Sequence, residues 1–522
     1  MKSRIISTFL CVAVLMATVW LVRFEPKAPV ITPEPETEEL PEETTTEPSV
    51  DPTRAFVIQT AHDTEALIER LAYGGNKSYS DEIAELTTRL QLSADYLKDN
   101  LADLFGSLYY SKICEVLRSV TQTPFASNSD FGTRVATILT ELENTYPTNK
   151  TVDENDPVSP MYYPKFDTSA NGKTTLALLS VYRQQAKKEN TVTLSFAGNL
   201  YIGDTLLGAD QEGSFKNQQS KTPYAFPLYK VSAVLNTDTA SFANLETPLT
   251  SSVGGAAASG FLKGDPDYAK LLKNGGLDVL SLSSPNMKNF GDAGKTDTKN
   301  ALNSAEIKFT DEGTVCYFET EIGTVAYLTY DIIDEINENV NVSYSAAPKQ
   351  DIAAAKAAGA KIVVVQFNWV NRETRDWDPC MGQVYSARAA IDSGANLVIG
   401  THTGFVEAIE RYKGCSIIYS PGNLSDRTST KVDPEYKSSF IFEQSFSLEG
   451  DKIVTGKIQV FPMTDSSSDN GVPSLVLDQN GVNTFKNNIH LWSSTVRFGV
   501  SSEANDPFPI DELNLISINK RS

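Results

Sequence analysis

Two short apolar runs, Val363-Val-Val-Gln-Phe and Leu397-Val-Ile, constrain this chain most, because a helical stretch at 387–393 lies between them and stops at Gly394. Short apolar runs alternating with helices are the pattern of parallel strands buried on both faces. Parallel strands need a crossover rather than a tight turn, and the helix supplies it. In such sheets the chemically active side chains sit on loops just past the strand ends. Between residues 363 and 426 those loops carry Asn368-Trp369, His402 and Asn423. Polar residues therefore stand where a site is expected.

The totals set limits on function. A chain of 522 residues has room for two or three units and a large core. A formal charge of −21 argues against nucleic acid as a partner and against a polybasic membrane patch. The three histidines, His62, His402 and His490, are too few for a His-rich metal centre. The five cysteines are dispersed without a Cys-x-x-Cys pair, which excludes a zinc ribbon and a dithiol redox motif. They read as isolated small hydrophobes, and spacing alone leaves a disulfide open. There is no Gly-x-Ser-x-Gly elbow and no Walker loop.

In chain order, residues 5–22 are unbroken apolar or small, with Lys2 and Arg4 before them and Arg23 after. With no Ala-x-Ala site following, residues 1–23 read as an uncleaved, single-pass signal anchor with the remainder outside the cell. Residues 24–54, rich in Pro, Glu and Thr, read as a disordered spacer. Residues 55–146 read as a small all-α domain. One helix falls near 58–72, and a long one starts at Ser80 with the stripe Ile83, Leu86, Leu90, Ala94, Leu97, Leu101, Leu104 and Leu108. A third helix spans 131–146. The stripe packs within a bundle or, in the sharper alternative, mediates self-association. Residues 147–190 form a connector whose helix starts at Thr174. The main α/β domain occupies 191–465, and residues 466–522 form an extension that packs back on it through His490-Leu-Trp492 and the apolar residues near 496–500.

From about Thr191 to Pro462, and more loosely to Ser493, the order of segments resembles the CapA family of poly-gamma-glutamate capsule synthesis proteins, relatives of calcineurin-like metallophosphoesterases. The resemblance rests on Phe196-Ala-Gly-Asn-Leu-Tyr-Ile-Gly203, Phe242-Ala-Asn-Leu-Glu-Thr-Pro-Leu-Thr250, Leu277-Asp-Val-Leu-Ser-Leu282, Asn368-Trp369, Asp392-Ser-Gly-Ala-Asn-Leu-Val-Ile-Gly400, Ile409-Glu-Arg-Tyr412 and Tyr419-Ser-Pro-Gly-Asn423. It implies a two-sheet α/β/β/α sandwich, metallophosphoesterase-like, with a metal-type site at the strand ends. It also implies a place in capsule or envelope assembly, with a cell-surface polymer or envelope-assembly membrane proteins as partners. The departures bear on chemistry. The family pattern has Gly-Asp where Asn199 follows Gly198, Asn-Asn-His where Ser284-Pro285-Asn286 stands, His-Trp-Gly at Asn368-Trp369-Val370, and Gly-x-His-Pro-His at Gly400-Thr401-His402-Thr403-Gly404. Only Glu246, His402 and Asn423 keep family side chains at site positions.

A two-metal phosphoesterase centre needs several carboxylates and imidazoles around its ions. Asn for Asp removes a charge, and Asn for His removes the better nitrogen ligand. The expectation is therefore no cofactor, a divalent metal being what the family resemblance alone would bring, held weakly through Glu246 and His402. These two are the remnant catalytic candidates, and pairing between them is one reading. Asn199, Asp204, Asn244, Asn286, Asn368, Trp369 and Asn423 are the ligand-binding candidates, with Asp204 or Asp210 as substitutes for a lost acid and Trp369 and Trp377 either walling a cleft or packing. The leading expectation is binding rather than catalysis. The alternatives are a metal-dependent hydrolase with a rebuilt site, and a scaffold acting through the helical domain.

Overall fold

The computed structural model describes residues 52–73, 79–122, 125, 128–147, 162–168, 172–185, 190–221, 225–254, 260–333, 346–369, 379–427, 438–464, 466–477, 479–494, 496, 505–506 and 514–515. The anchor and most of the spacer lie outside these residues. Among the described residues no helix is long and apolar enough to cross a membrane.

Five helices come first: α1 (Pro52–Tyr73), α2 (Ser80–Leu101), α3 (Leu104–Gln122), α4 (Asn128–Thr145) and α5 (Lys173–Gln185). The apolar stripe is real as far as Leu97: Ile83, Leu86, Leu90, Ala94 and Leu97 are buried. It does not continue as one helix, which corrects the sequence reading. Ala102 adopts a left-handed conformation with φ +51°, and the Asp103 N–H donates back to the Leu97 carbonyl at 2.9 Å. The Asp103 carboxylate then accepts from the Gly106 N–H at 3.1 Å and caps α3. Leu101, Leu104 and Leu108 consequently turn outward, at 42%, 65% and 49% exposure. A left-handed alanine carries no sequence signal comparable to a glycine, so the break was hidden.

Thirteen longer strands follow: β1 (Thr191–Tyr201), β2 (Ala240–Leu245), β3 (Val279–Ser281), β4 (Lys308–Thr310), β5 (Val315–Thr320), β6 (Gly323–Asp331), β7 (Ile362–Asn368), β8 (Leu397–Thr401), β9 (Ile409–Tyr412), β10 (Cys415–Ile418), β11 (Asn423–Asp426), β12 (Ser438–Glu449) and β13 (Lys452–Thr464). Among the described residues they form two large sheets. The nine-stranded sheet runs Ser474–Leu475, β13, β12, β1, β2, β3, β4, with β11 also paired to β1 and Asn514–Leu515 to β13. The seven-stranded sheet runs Asn505–Asp506, β9, β10, β8, β7, β6, β5. The apolar runs at 363 and 397 are β7 and β8, neighbours and parallel, as their alternation with helices requires.

Side-chain alternation along the strands sorts residues into layers. Phe196, Phe242 and Val279 of one sheet and Tyr327, Val364 and Ile399 of the other share one inner core. The rings of Phe196 and Phe242 stack there at 4.6 Å. On the far side of the seven-stranded sheet, Val363 and Val365 pack with Ile352 of α6 (Ala346–Ala357) and with Val384 and Ala387 of α7 (Met381–Asp392). On the far side of the nine-stranded sheet, Leu200, Leu245 and Leu280 share a core with the apolar faces of α1 and α5, among them Leu67, Leu176 and Leu179. Arg183 of α5 fixes this junction: its guanidinium pairs with buried Glu443 of β12 and donates to Thr237 Oγ1 at 2.6 Å. Phe485, Ile489 and Trp492 of α8 (Gln479–Ser494) enter the inner core, so the C-terminal extension packs back on the sheets. Residues 497–500 lie outside the described residues. Cys114, Cys316, Cys380 and Cys415 are all free, which removes the disulfide alternative for these four.

Two glycines permit approaches that no side chain would. A Cβ on Gly198 would lie 1.7 Å from the Gly422 carbonyl oxygen, and one on Gly400 would lie 2.1 Å from both the Tyr419 carbonyl and the Trp369 indole nitrogen. At Gly260 a Cβ meets nothing within 4 Å. Gly198→Ala should therefore destabilise the fold by about 3 kcal/mol or more, since the clash is with backbone, whereas Gly260→Ala should stay within about 0.5 kcal/mol. Urea unfolding of the two variants checks this, and equal midpoints would contradict the close approach.

Candidate functional site

The polar residues singled out in the sequence gather at the rim where the two sheets meet, past the C-terminal ends of their parallel strands. In the nine-stranded sheet, Asn199 of β1 is in register with Asn244 of β2 on one side and with Asn423 of β11 on the other. In the seven-stranded sheet, Asn368 of β7 is in register with Asp331 of β6 and Thr401 of β8. Paired residues of neighbouring strands point to the same face, so each sheet offers a polar row toward the other.

Glu246 is the hub. Its side chain is fully buried. Oε1 accepts from Asn244 Nδ2 at 2.7 Å and lies 2.9 Å from His402 Nδ1. Oε2 accepts from the Ser284 hydroxyl and from Asn286 Nδ2, the latter at 2.9 Å. The amides are chained to one another. Asn199 Oδ1 accepts from Asn244 Nδ2 at 3.1 Å and from the His402 backbone N–H at 2.9 Å. Asn199 Nδ2 donates to Asn423 Oδ1 at 3.0 Å, and Asn423 Nδ2 donates to Asp426 at 2.8 Å. Gln366 Nε2 donates to Asn244 Oδ1 at 3.0 Å and to Thr401 Oγ1 at 3.1 Å, while its oxygen accepts from the Tyr327 hydroxyl. Thr401 in turn donates to Asn368 Oδ1. Within this cluster one buried polar atom ends without a partner: Asn368 Nδ2.

His402 sits at φ +78°, a backbone conformation rare for a side chain with a Cβ, and its hydrogen bond to Asn199 helps to hold it there. Its side chain is 18% exposed against 0% for Glu246, so the imidazole rather than the carboxylate faces the opening. Burial alone would lower the imidazole pKa. The charge and hydrogen bond of Glu246, helped by Asp331, outweigh burial and hold it above the usual histidine value. Burial raises the Asp331 carboxyl, only partly offset by the Ile333 N–H and by His402. Burial also pushes the Tyr201 hydroxyl far up, with Glu246 and Asp426 adding to the effect.

Of the sequence candidates, Asn199, Asn244, Glu246, Asn286, Asn368, His402 and Asn423 converge in this network. Asp204 does not join it. Its carboxylate accepts from the Phe215 and Lys216 amides at 2.7 and 3.0 Å and pairs with Arg427 at 2.7 Å, which is a local capping role. Asp210 is an exposed partner of Lys216 at 3.0 Å. Trp369 walls no cleft. It is fully buried, stacks on Phe367 and Tyr419, and donates its indole N–H to the Tyr419 carbonyl at 2.8 Å. Trp377 lies outside the described residues. Sequence reasoning missed Gln366, Thr401 and Asp331, and noticed Ser284 only as a departure from the family turn. A glutamine inside the apolar run Val363-Val-Val-Gln-Phe was the available signal, because a buried amide requires partners.

The donor set does not fit a two-metal centre. Both oxygens of Glu246 are taken by protein donors, and besides His402 the side chains that contact it are neutral amides and a hydroxyl. Among the described residues, no group of three His, Cys, Asp or Glu is placed to hold an ion. The arrangement is instead a polar network, fixed in position, with a carboxylate-held imidazole at its more exposed side and one unused amide donor buried within it.

Comparison with known proteins agrees with the order of motifs. The family model described as "Bacterial capsule synthesis protein PGA_cap" matches residues 199–427. The chain is 24% identical over 292 residues to the PGA biosynthesis protein CapA of Bacillus subtilis (strain 168), a match covering 53% of this chain and 72% of that protein. It is 27% identical over 180 residues to the capsule biosynthesis protein CapA of Bacillus anthracis, covering 31% of this chain and 43% of that protein. Among solved structures, the calcineurin-like phosphoesterase YfkN from Bacillus subtilis aligns with 59% of this chain and 98% of its own at 11% identity, with a TM-score of 0.28, too loose a likeness to carry weight.

The raised His402 value has a stability signature. A folded-state pKa above the unfolded one means the Glu246–His402 pair contributes fully below about pH 6.5 and fades as pH rises through the folded value. The gap in urea midpoint between the native chain and His402→Gln should therefore shrink from about pH 6 to about pH 9. A gap independent of pH would mean that Glu246 does not hold an imidazolium.

Proposed function

Given that this chain belongs to the CapA family through residues 199–427, we propose that it serves the synthesis or assembly of a cell-surface polymer and does so by binding. Residues 5–22 anchor it in the membrane, and the described residues work outside the cell. The observation that carries the binding reading is the fully bonded Glu246. A carboxylate whose oxygens already accept from Asn244, His402, Ser284 and Asn286 is committed to holding structure. It has little capacity left to ligate an ion or relay a proton. The chained amides are suited to presenting fixed donors and acceptors to a polar ligand, the kind of preorganisation that limits the entropic cost of binding.

A scaffold role through the helical segment has its own support. Leu101, Leu104, Phe105 and Leu108, around the corner between α2 and α3, are between 42% and 73% exposed. Four large apolar side chains grouped on one corner are more than the scattered exposure of ordinary surfaces.

Bound-metal stoichiometry and surface-polymer assays separate these readings. After dialysis against Mn²⁺ or Zn²⁺ the protein should retain no stoichiometric ion. Asn199→Ala and His402→Ala should each abolish polymer display in cells while the purified variants remain folded by circular dichroism. About one or two ions per chain, lost in His402→Ala, would instead restore the metal-dependent hydrolase. Normal display in both site variants, together with its loss in Leu104→Ser/Phe105→Ser, would transfer the function to the helical corner.

A further inference from the structure

Resting on the reading of residues 5–22 as a membrane anchor, we infer that the corner between α2 and α3 is a lipid-docking tip, whose Leu101, Leu104, Phe105 and Leu108 enter the surface of the bilayer that holds the chain. The corner lies at the end of the bundle where α1 begins. Arg70 of α1 pairs with Glu82 of α2, and Asp63 of α1 with Arg89 of α2, which is the order of two antiparallel helices. Both helices are 22 residues long, so Pro52 at the start of α1 stands at the same end as Leu101 at the finish of α2. The helix α3 runs back beside α2, with the Cys114 thiol donating to the Thr87 carbonyl at 3.3 Å, and so starts from that end too. Only residues 23–51 separate Pro52 from the apolar run at 5–22. A tether that short keeps the effective concentration of the corner at the bilayer high, so a small apolar tip suffices to dock there.

The backbone of the corner suits an apolar medium. An N–H that meets lipid must find its partner inside the protein. Here the Ala102 and Asp103 N–H groups donate to the Leu97 carbonyl, and the Leu104 N–H donates to the Ala102 carbonyl at 3.2 Å. The Gly106 N–H donates to the Asp103 carboxylate at 3.1 Å, and the Ser107 N–H to the Asp103 carbonyl at 3.0 Å. The left-handed Ala102 makes the turn tight. The four apolar side chains therefore project from a preformed tip, and little ordering is needed on docking. Leucine and phenylalanine are side chains that interfacial insertion uses, with a strength that grows with the apolar area buried. The charges of the corner agree with insertion rather than headgroup binding. Between residues 95 and 108, Asp95, Asp99 and Asp103 stand against Lys98 alone, so anionic headgroups oppose the tip instead of holding it. Docking fixes which end of the bundle meets the membrane.

The test uses the full chain in phosphatidylcholine vesicles, with a fluorescent dye on one introduced cysteine. The dye sits at Asn100→Cys beside the tip or at Leu92→Cys, an exposed position more than two turns back along α2. Cys11, Cys380 and Cys415 are replaced by Ser, while Cys114 and Cys316 are buried. Lipids carrying a nitroxide near the headgroup should quench the dye at residue 100 and spare it at residue 92. Leu104→Ser/Phe105→Ser should bring quenching at residue 100 down to the level at residue 92 without lowering the urea midpoint, since both side chains are exposed. Added phosphatidylglycerol should weaken the quenching at low salt, and a rise would overturn the apolar account. Quenching that survives the double substitution would overturn the role of these side chains. A chain that stays with the vesicles through an alkaline carbonate wash, yet shows equal, weak quenching at both positions, would overturn the tip and leave the anchor standing. Release of the chain by the wash would bring down the anchor reading and the tip with it. Disulfide-linked dimers through undyed Asn100→Cys, in place of quenching, would give the corner to a second copy and overturn the lipid assignment.

Discussion

The carbonyl oxygen of Gly422 occupies the place where a side chain on residue 198 would begin, and the polar rim depends on that contact. It allows β11 to run beside β1 after β12 has left it, and the Asn199 N–H closes the contact on Gly422 O at 3.2 Å. Asn423 then arrives opposite Asn199. From there the bonds cross the gap between the sheets, because Asn199 Oδ1 receives both Asn244 from its own sheet and the His402 backbone from the other. One missing Cβ thus sets the position of an amide that joins both layers.

The network also shows how a buried carboxylate can be kept in place by protein donors alone. A buried carboxylate carries a heavy desolvation penalty, which only several good hydrogen bonds offset. Glu246 has them: two amides, a hydroxyl and an imidazole. The asparagines around Glu246 add no second negative charge beside it. Neutral dipoles therefore do most of the positioning, and the Glu246 charge in turn favours the protonated form of His402.

Much of this was legible in the sequence, for identifiable reasons. The runs at Val363 and Leu397 gave their own parallel pairing through length, apolarity and the helix between them. Glu246 and His402 could be suspected of pairing because each was a lone ionisable survivor among amides. The break between α2 and α3 was not legible, because Leu101, Leu104 and Leu108 prolong the spacing of a helix that has already ended, and the turn is made by an alanine. The roles of Gln366 and Thr401 were hidden by strand neighbours that made their stretches read as core. Asp204 and Trp369 misled because proximity to a motif in sequence says nothing about which way a side chain points. Arg183 of α5 and Glu443 of β12 are too far apart in the chain for any local pattern to connect them.

The position of β1 has a consequence for how the chain reaches this state. Among the described residues it is the first strand to be made, yet it lies inside its sheet, with β2 on one side and β12, residues 438–449, on the other. During synthesis one of its edges must wait until nearly the whole chain has emerged. Such distant pairing is slow to form, and an open apolar edge invites the wrong partner meanwhile. The helices α1 to α5 emerge earlier still, and α1 and α5 share a core with the outer face of the same sheet. They are placed to shelter that face during the wait. On this view the helical segment is an early-folding escort for the nascent sheet, and a chain begun at Thr191 would emerge without it.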